Sequence, residues 1–244
     1  GLRWGEDKRY TKAIGALKHY TIYSVEKDRG STYFDIASRD VEETYLPQFK
    51  APVVEAGSLG YMCSYAALTN AELIPDSGVP GHPHSEPLCA SAFFAQTKMR
   101  DEFGFEGYVQ SDCGAVDNEV GREGWAANAT DAAARALAGG LMNSNCGGGL
   151  VDHICDAIAE GLTTEAELEA RITRSLTLLM DAGLFDPLEG QPFTRIPFAT
   201  INSEAAQAKN LEAARQGLVL LRNPPVAAAG TQEHAVGSGA PFVL

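Results

Sequence analysis

Short apolar runs alternate along the chain with amphipathic helical patterns, and this alternation is the strongest constraint on its fold. The predicted strands are 16–24, 59–65, 108–111 and, more weakly, 141–145. The predicted helices are 39–56, 90–103, 130–138, 151–160, 165–182 and 204–219. Such a pattern predicts an α/β fold with a parallel sheet or a (β/α)8 TIM-type barrel. A closed barrel needs eight strands, and about four are predicted, so we expect a partial barrel.

The charge of the chain narrows its possible partners. The 244 residues include 19 Lys and Arg against 32 Asp and Glu, which gives a net charge of -13. A surface this acidic is not attracted to nucleic acid or to an anionic membrane. No apolar run approaches the roughly 18 residues of a membrane span. We therefore expect no nucleic-acid partner and no membrane span. The acidic net charge fits a neutral substrate.

The cysteine spacing indicates whether a metal site is expected, and the first residue and a sequon indicate how the chain is processed. The five cysteines lack any CxxC spacing, so we expect no metal and no cofactor. The chain starts at Gly1 without an initiator Met or a signal peptide, and we expect it to be processed or truncated. Asn128-Ala129-Thr130 is a glycosylation sequon, which matters only in a secreted protein.

Three of the predicted strands carry polar groups that we assign to their carboxyl ends. The groups are Lys18-His19-Tyr20, Ser64-Tyr65 and Ser111-Asp112. Active-site residues of (β/α) barrels lie at the carboxyl ends of strands, so these groups would form a site for a hydroxyl-rich ligand. Taken singly, each has an ordinary structural role: a Lys-His pair is usually a surface pair, a Tyr is usually core, and Asp before Gly commonly ends a strand.

Several stretches together resemble glycoside hydrolase family 3, in its β-xylosidase and β-glucosidase branch. They are ALKHY, RDVEETYLPQF, GYMCSY, GFEGYVQSDCGAV, GLFD and EAARQGLVLLRN, in this order over residues 5–223. The resemblance implies an N-terminal barrel domain truncated at both ends, lacking its first strands and the following α/β sandwich domain. We expect the barrel segment at 1–200, a helix and link to the sandwich at 201–223, and a flexible tail at 224–244.

The resemblance also implies roles for individual residues. Asp112 matches the family's nucleophile, Lys18 and His19 match a pair that binds substrate hydroxyls, and Tyr65 matches a tyrosine beside the nucleophile. It implies retaining hydrolysis of a β-linked xyloside or glucoside through a covalent glycosyl-enzyme. It further implies a secreted, extracellular or cell-wall protein, with Cys63–Cys89 and Cys113–Cys146 as plausible disulfides and Cys155 left over.

The chain departs from the family pattern at several positions. Ala66 replaces an Asn, and a neutral Asn143 or Asn145 stands where the family has an Asp. We expect the general acid/base to lie outside this chain. The local carboxylates are interpreted as solvated loop residues, namely Glu86, Asp117 and Glu119.

Two functions from different classes remain open. One is the retaining glycosidase, with the missing strands supplied by another chain or segment and with the activity of this chain alone doubtful. The other is a catalytically inactive relative that serves as a structural or glycan-binding subunit of a larger assembly. The four retained site residues favour the enzyme, and the lost Asn and Asp favour the inactive subunit.

Overall fold

The structure, a computed structural model, describes residues 3–77, 79–121, 124–144, 146 and 148–222. The chain divides into two compact units, Gly1–Gln191 and Pro192–Leu244. The predicted tail at 224–244 lies outside the described residues.

The first unit contains seven strands and six α-helices among its described residues. The strands are β1 Ala16–Tyr20, β2 Tyr33–Asp35, β3 Gly60–Cys63, β4 Ala67–Thr69, β5 Ser85–Pro87, β6 Tyr108–Ser111 and β7 Asn143–Ser144. The helices are α1 Ser38–Asp40, α2 Pro47–Val54, α3 Ala115–Gly121, α4 Ala129–Ala138, α5 Leu150–Ala159 and α6 Glu165–Asp181. Two further segments, Val41–Tyr45 and Phe93–Glu102, are π-helical.

The main sheet has four parallel strands in the order β1-β3-β6-β7. Residues of β3 pair directly with β6, from Gly60 opposite Tyr108 to Cys63 opposite Ser111. All four residues of β3 are buried, as expected for a strand in the middle of a parallel sheet covered on both faces. The predicted α/β class with a parallel sheet is therefore confirmed.

An aromatic cluster packs one face of this sheet. The Tyr20 ring lies 4.8 Å from Tyr61, 4.9 Å from Phe49 and 5.9 Å from Phe94, all edge to face. Such arrangements are favoured by the ring quadrupole. The buried Tyr20 hydroxyl donates to the Phe94 carbonyl at 3.1 Å. The cluster thereby fixes the end of β1, from which the candidate site is built.

A glycine permits close contact between the chain before β6 and the chain before β3. A Cβ on Gly107 would lie 2.1 Å from the Leu59 carbonyl oxygen. The Leu59 carbonyl also accepts a hydrogen bond from the Tyr108 N–H at 2.9 Å. Only glycine leaves room for this approach, so Gly107 sets the register of β6 against β3.

A second, three-stranded sheet was not predicted from the sequence. Its order is β2-β4-β5, with β2 parallel and β5 antiparallel to β4. The Trp125 indole N–H donates to the Ser85 carbonyl at 3.1 Å and so ties β5 to the segment after α3. Each strand is three residues long, which is too short for a recognisable alternation of apolar and polar residues.

Most predicted helices are confirmed within a few residues, and their caps explain where they begin. The Thr164 side chain accepts from the Glu167 N–H at 3.2 Å, which caps α6. The Asn128 side chain accepts from the Asp131 N–H at 2.8 Å and caps α4 in the same way. Both satisfy N–H groups that have no partner within the helix.

One predicted helix needed correction, and one helix was missed. The predicted helix 39–56 is three segments, with a π-helical stretch at Val41–Tyr45 between α1 and α2. Helix α3 was not predicted, because its start coincides with the glycine turn that follows Asp112.

The second unit, as far as described, is mainly helical. Its one α-helix among the described residues is α7, Glu204–Gly217, and it begins at Ser203, whose side chain accepts from the Ala206 N–H at 3.3 Å. Two short 3-10 turns precede it, Phe193–Arg195 and Phe198–Thr200. Over both units, none of the helices in the described ranges has the length and apolar character needed to cross a membrane.

Candidate active site

Three neighbouring strands of the main sheet end at the same level. Tyr20 pairs with Cys63, and Cys63 pairs with Ser111. Because the strands are parallel, the residues next to these positions gather at one edge of the sheet. The sheet therefore brings His19, Tyr65 and Asp112 together, although 93 residues separate the first from the last in sequence.

Asp112 lies at the centre of this group. One carboxylate oxygen, Oδ1, accepts the Cys113 N–H at 2.7 Å. The other, Oδ2, lies 3.1 Å from Nε2 of His19. The side chain is only 16% exposed, yet it is not enclosed by the core. An oriented, accessible carboxylate of this kind can accept hydrogen bonds from a ligand or attack an electrophilic carbon.

His19 faces Asp112 from the end of β1. Its side chain is 22% exposed. Burial is the largest cause that lowers the pKa of the His19 imidazole, and the nearby charges of Lys18 and Arg29 lower it further, whereas the Asp112 carboxylate raises it. The net effect is a pKa below the ordinary 6.5, which favours the uncharged imidazole at neutral pH, with Nε2 facing the Asp112 carboxylate.

Tyr65 borders the site on the other side. Its hydroxyl donates to the Cys113 carbonyl at 2.7 Å, next to Asp112 in the chain. Burial, followed by the negative charge of Asp112, raises the pKa of the Tyr65 phenol. The phenol thus keeps its proton at neutral pH and presents a polar edge beside the carboxylate.

Lys18 is placed differently from the other predicted site residues. It precedes His19 on β1 and is exposed. Successive strand residues point to opposite faces, and with the residues that the structure describes the Lys18 ammonium forms no hydrogen bond or ion pair. Its contribution to the group at Asp112 is electrostatic, because its charge lowers the pKa of His19.

Sequence reasoning missed three residues of the site, all in the loop after β1. The Tyr23 ring lies 4.9 Å from the His19 ring. The Arg29 guanidinium lies 4.7 Å from the centre of the Tyr65 ring and 2.8 Å from the Glu26 carboxylate. The available signal was an aromatic residue and a cation within ten residues of a predicted strand end, a signal too common to single out.

Two disulfides flank the site, and both pairings are confirmed. Cys63 is bonded to Cys89 with a Cα separation of 5.2 Å, and Cys113 is bonded to Cys146 with a separation of 5.3 Å. Cys155 is free, as predicted, and it is exposed. The second disulfide begins at the residue after Asp112, so it ties the loop that carries the carboxylate to the chain that follows β7.

The interpretation of the local carboxylates as solvated loop residues is wrong for Glu86 and Glu119, and Asp117 is exposed as expected but lies on a helix. Glu119 and Asp117 lie on α3, and Glu119 is 0% exposed. Glu86 lies on β5, where its carboxylate accepts a hydrogen bond from the Ser91 hydroxyl. Burial raises the pKa of Glu86 to about 7. The error arose because Glu86 and Glu119 belong to elements that the sequence pattern did not reveal.

The structure shows the burial and contacts of two positions that depart from the family pattern, Ala66 and Asn143. Ala66 is 1% exposed, and its carbonyl accepts the Leu88 N–H at 2.9 Å. Asn143 is exposed on β7, opposite Gln110. The alternative candidate, Asn145, lies outside the described residues. Within the described ranges no group of three or more His, Cys, Asp or Glu side chains is placed to hold a metal ion.

The parallel sheet and the polar groups at its carboxyl edge define an α/β protein with a strand-end site of the kind found in barrel enzymes. Residues 6–178 match the glycosyl hydrolase family 3 N terminal domain. The chain belongs to glycosyl hydrolase family 3. It is 33% identical over 226 residues to an exo-1,4-beta-xylosidase of Emericella nidulans, a match that covers 90% of this chain and 28% of the relative.

Other relatives agree. An exo-1,4-beta-xylosidase of Aspergillus oryzae is 34% identical over 229 residues, covering 91% of this chain and 27% of the relative. A solved structure of a family 3 exo-beta-xylosidase with a xylobiose aziridine activity-based probe superposes with a TM-score of 0.79 at 32% identity, covering 93% of this chain and 29% of that one. The structure of a beta-glucosidase from Erythrobacter marinus superposes with a TM-score of 0.71 at 26% identity, covering 88% of this chain and 27% of that one. The chain thus spans less than a third of these relatives.

Proposed function

We propose that this chain carries the nucleophile of a retaining β-glycosidase that acts on β-linked xylosides or glucosides. The observation that carries the proposal is the placement of the Asp112 carboxylate at the end of β6, between His19 and Tyr65. The similarity to exo-1,4-beta-xylosidases over most of the chain supports the substrate class.

The chemistry follows from the site residues. Asp112 attacks the anomeric carbon, the bond from that carbon to the leaving oxygen breaks, and a protonated acid gives its proton to that oxygen. Water then attacks the same carbon, the deprotonated acid takes its proton, the ester bond to Asp112 breaks, and the sugar leaves with the Asp112 carboxylate restored. His19 and Tyr65 hold sugar hydroxyls through hydrogen bonds that strengthen in the oxocarbenium-like transition state.

The general acid in this proposal comes from outside the chain, as the sequence comparison with the family implies. A retaining enzyme needs that second carboxyl group about 5 Å from the nucleophile. Further strands, from another chain or from a segment beyond this one, would pair with β1 and β7, the two edges of the main sheet. Exposed edge strands commonly recruit such partners.

A second function is a glycan-binding or structural subunit without catalysis. The observation that favours it is the buried Ala66, where the family has a polar Asn, together with the neutral Asn143 or Asn145 where the family has a charged Asp. In this function His19, Tyr65 and Asp112 still bind sugar hydroxyls, but no covalent intermediate forms.

The test is covalent trapping with a 2-fluoro xyloside and a 2-fluoro glucoside that carry activated leaving groups, which do not need the general acid. Mass spectrometry should find one added glycosyl group on the peptide that contains Asp112. Asp112→Asn should abolish labelling, and Asp117→Asn, which changes an exposed carboxylate on α3, should retain it. Sugar binding without any labelling would reject the enzyme and support the binding subunit.

We also propose that the protein is exported and N-glycosylated at Asn128. The two disulfides support an oxidising compartment. The capping bond of Asn128 uses Oδ1, so a glycan on Nδ2 leaves the helix cap intact. Expression through a eukaryotic secretory pathway should give a species that endoglycosidase shortens, and Asn128→Gln should remove that shift. A protein retained inside the cell with reduced cysteines would reject the assignment.

A further inference from the structure

Arg29 links the loop after β1 to the candidate site. Its guanidinium donates to the Tyr23 hydroxyl, forms an ion pair with Glu26 at 2.8 Å and lies over the Tyr65 ring at 4.7 Å from the ring centre. A guanidinium can stack on an aromatic face and at the same time donate through the N–H groups that lie in its own plane, which an ammonium cannot do. The side chain therefore joins two tyrosines and a carboxylate at the edge of the site.

The backbone that carries Arg29 is held at both ends of its loop. At the start, the Thr21 hydroxyl donates to the Tyr45 carbonyl at 3.0 Å, and the Thr21 carbonyl accepts the Ser64 hydroxyl at 2.8 Å. At the end, the Asp28 carbonyl accepts three hydrogen bonds, from the Ser31 N–H and hydroxyl and from the Thr32 hydroxyl, at 3.0, 3.1 and 2.9 Å. Arg29 follows Asp28 directly, so its side chain leaves from a fixed point.

The Tyr65 ring is half-buried against the hydrophobic core, and the contact from Arg29 adds to that packing on its exposed side. The hydroxyl is fixed by its bond to the Cys113 carbonyl. The ring faces are half-buried, with Tyr23 at 6.3 Å and tilted. Stacking of a cation on one face restricts rotation and tilting of the ring.

We propose that Arg29 is a positioning residue that holds Tyr65 against Asp112, with Glu26 fixing the guanidinium in turn. The role in sugar binding rests on the proposed function; the positioning of the Tyr65 ring does not. Arg29 acts through Tyr65 and is not itself a catalytic residue. The loop after β1 is thereby a part of the site, and its sequence tunes how firmly a sugar is held beside Asp112.

The first test follows the Tyr65 ring directly in the full chain. Protein labelled with ¹³C-tyrosine is compared by NMR for the unchanged chain, Arg29→Ala, Arg29→Lys and Lys27→Ala, with Tyr65→Phe to assign the signal. We expect Arg29→Ala to shift and broaden the Tyr65 ring resonances. Lys27 is exposed in the same loop, and Lys27→Ala should leave them unchanged. Unaltered Tyr65 resonances in Arg29→Ala overturn the proposal.

Arg29→Lys separates charge from geometry. Because Arg29 lowers the pKa of Tyr65 through its charge, Arg29→Ala should raise the Tyr65 titration midpoint in ultraviolet difference spectra, and Arg29→Lys should restore it. Lys lacks the planar stack, so it should not restore the ring resonances. Full restoration of both by Lys reduces the role of Arg29 to its charge and rejects positioning. If the Ala variant does not fold, the Lys variant alone decides.

The second test is binding of xylose and glucose by calorimetry. We expect Arg29→Ala to weaken binding about fivefold and Lys27→Ala to leave it unchanged. If neither sugar binds the unchanged chain but Arg29→Ala alters Tyr65, the proposed function fails and the positioning role stands. If sugars bind Arg29→Ala as tightly as the unchanged chain, the positioning role in binding fails and the proposed function stands.

Discussion

The imidazole Nε2 of His19 lies 3.1 Å from the carboxylate Oδ2 of Asp112, across two neighbouring strand pairs of one parallel sheet. The other carboxylate oxygen, Oδ1, accepts the N–H of Cys113. The two contacts together fix the orientation of the carboxylate. The contact between His19 and Asp112 also makes the protonation state of one residue sensitive to the other, which gives a direct measure of the geometry.

The titration of His19 should depend on Asp112 and not on Asp117, an exposed carboxylate on α3. Since burial lowers the pKa of His19 and the Asp112 charge raises it, we expect an NMR midpoint below 6.5 that falls further in Asp112→Asn. Asp117→Asn should leave the midpoint unchanged. A rise in Asp112→Asn would contradict the contact.

Glu86 should make stability fall as the pH rises. Its folded pKa is about 7 against an ordinary 4.5, so the unfolded chain loses the proton first. The cost is absent below pH 4.5 and complete above pH 7, where it amounts to about 3 kcal/mol. Glu86→Gln should therefore raise the free energy of unfolding at pH 8 by up to that amount and change it little at pH 4.5.

Urea unfolding at the two pH values measures this difference. Glu169→Gln, at an exposed position of α6, is the matched control and should show no such dependence on pH. Equal effects of Glu86→Gln at both pH values would mean that folding does not raise the pKa of Glu86.

The Cys113–Cys146 disulfide should support both the fold and the nucleophile. Replacing both cysteines by Ala removes a cross-link between residues 33 apart, which we expect to cost roughly 3 kcal/mol. Labelling of Asp112 by the 2-fluoro glycosides should slow at least tenfold, because the loop after β6 is released. Cys155→Ala, at the free cysteine, should change neither the unfolding free energy nor the labelling rate.

The cap of α6 should be worth a measurable part of the stability. Thr164→Ala removes the acceptor for the Glu167 N–H, and we expect a loss of about 1 kcal/mol. Thr173→Ala lies on an exposed face of the same helix and should cost little. Circular dichroism during urea unfolding compares the two, and equal losses would show that the cap is not the cause.

The sequence was sufficient for the main sheet and the long helices because their patterns are local. β3 and β6 are apolar runs between clear breaks, and α6 has a cap followed by regular spacing. His19, Tyr65 and Asp112 could be predicted as a group because parallel strands end at one edge. The family resemblance added their roles, which the pattern alone does not supply.

What the sequence did not reveal depends on contacts between distant residues. The small sheet pairs Tyr33 with Ala67 and Ala67 with Pro87, and no segment of three residues indicates such partners by itself. The burial of Glu119 follows from how α3 packs. The placement of Arg29 over Tyr65 depends on a loop anchored by Thr21 and Asp28, neither of which is unusual in sequence.

The bond from the Trp125 indole to Ser85 gives the molecule a built-in optical probe. Trp125 is 7% exposed, and the only other tryptophan of the chain, Trp4, is 41% exposed. In Trp4→Phe all indole emission would arise at the junction of β5 with the segment after α3. A red shift of that emission at denaturant concentrations below global unfolding would therefore report detachment of the small sheet while the parallel sheet and its carboxylate remain folded.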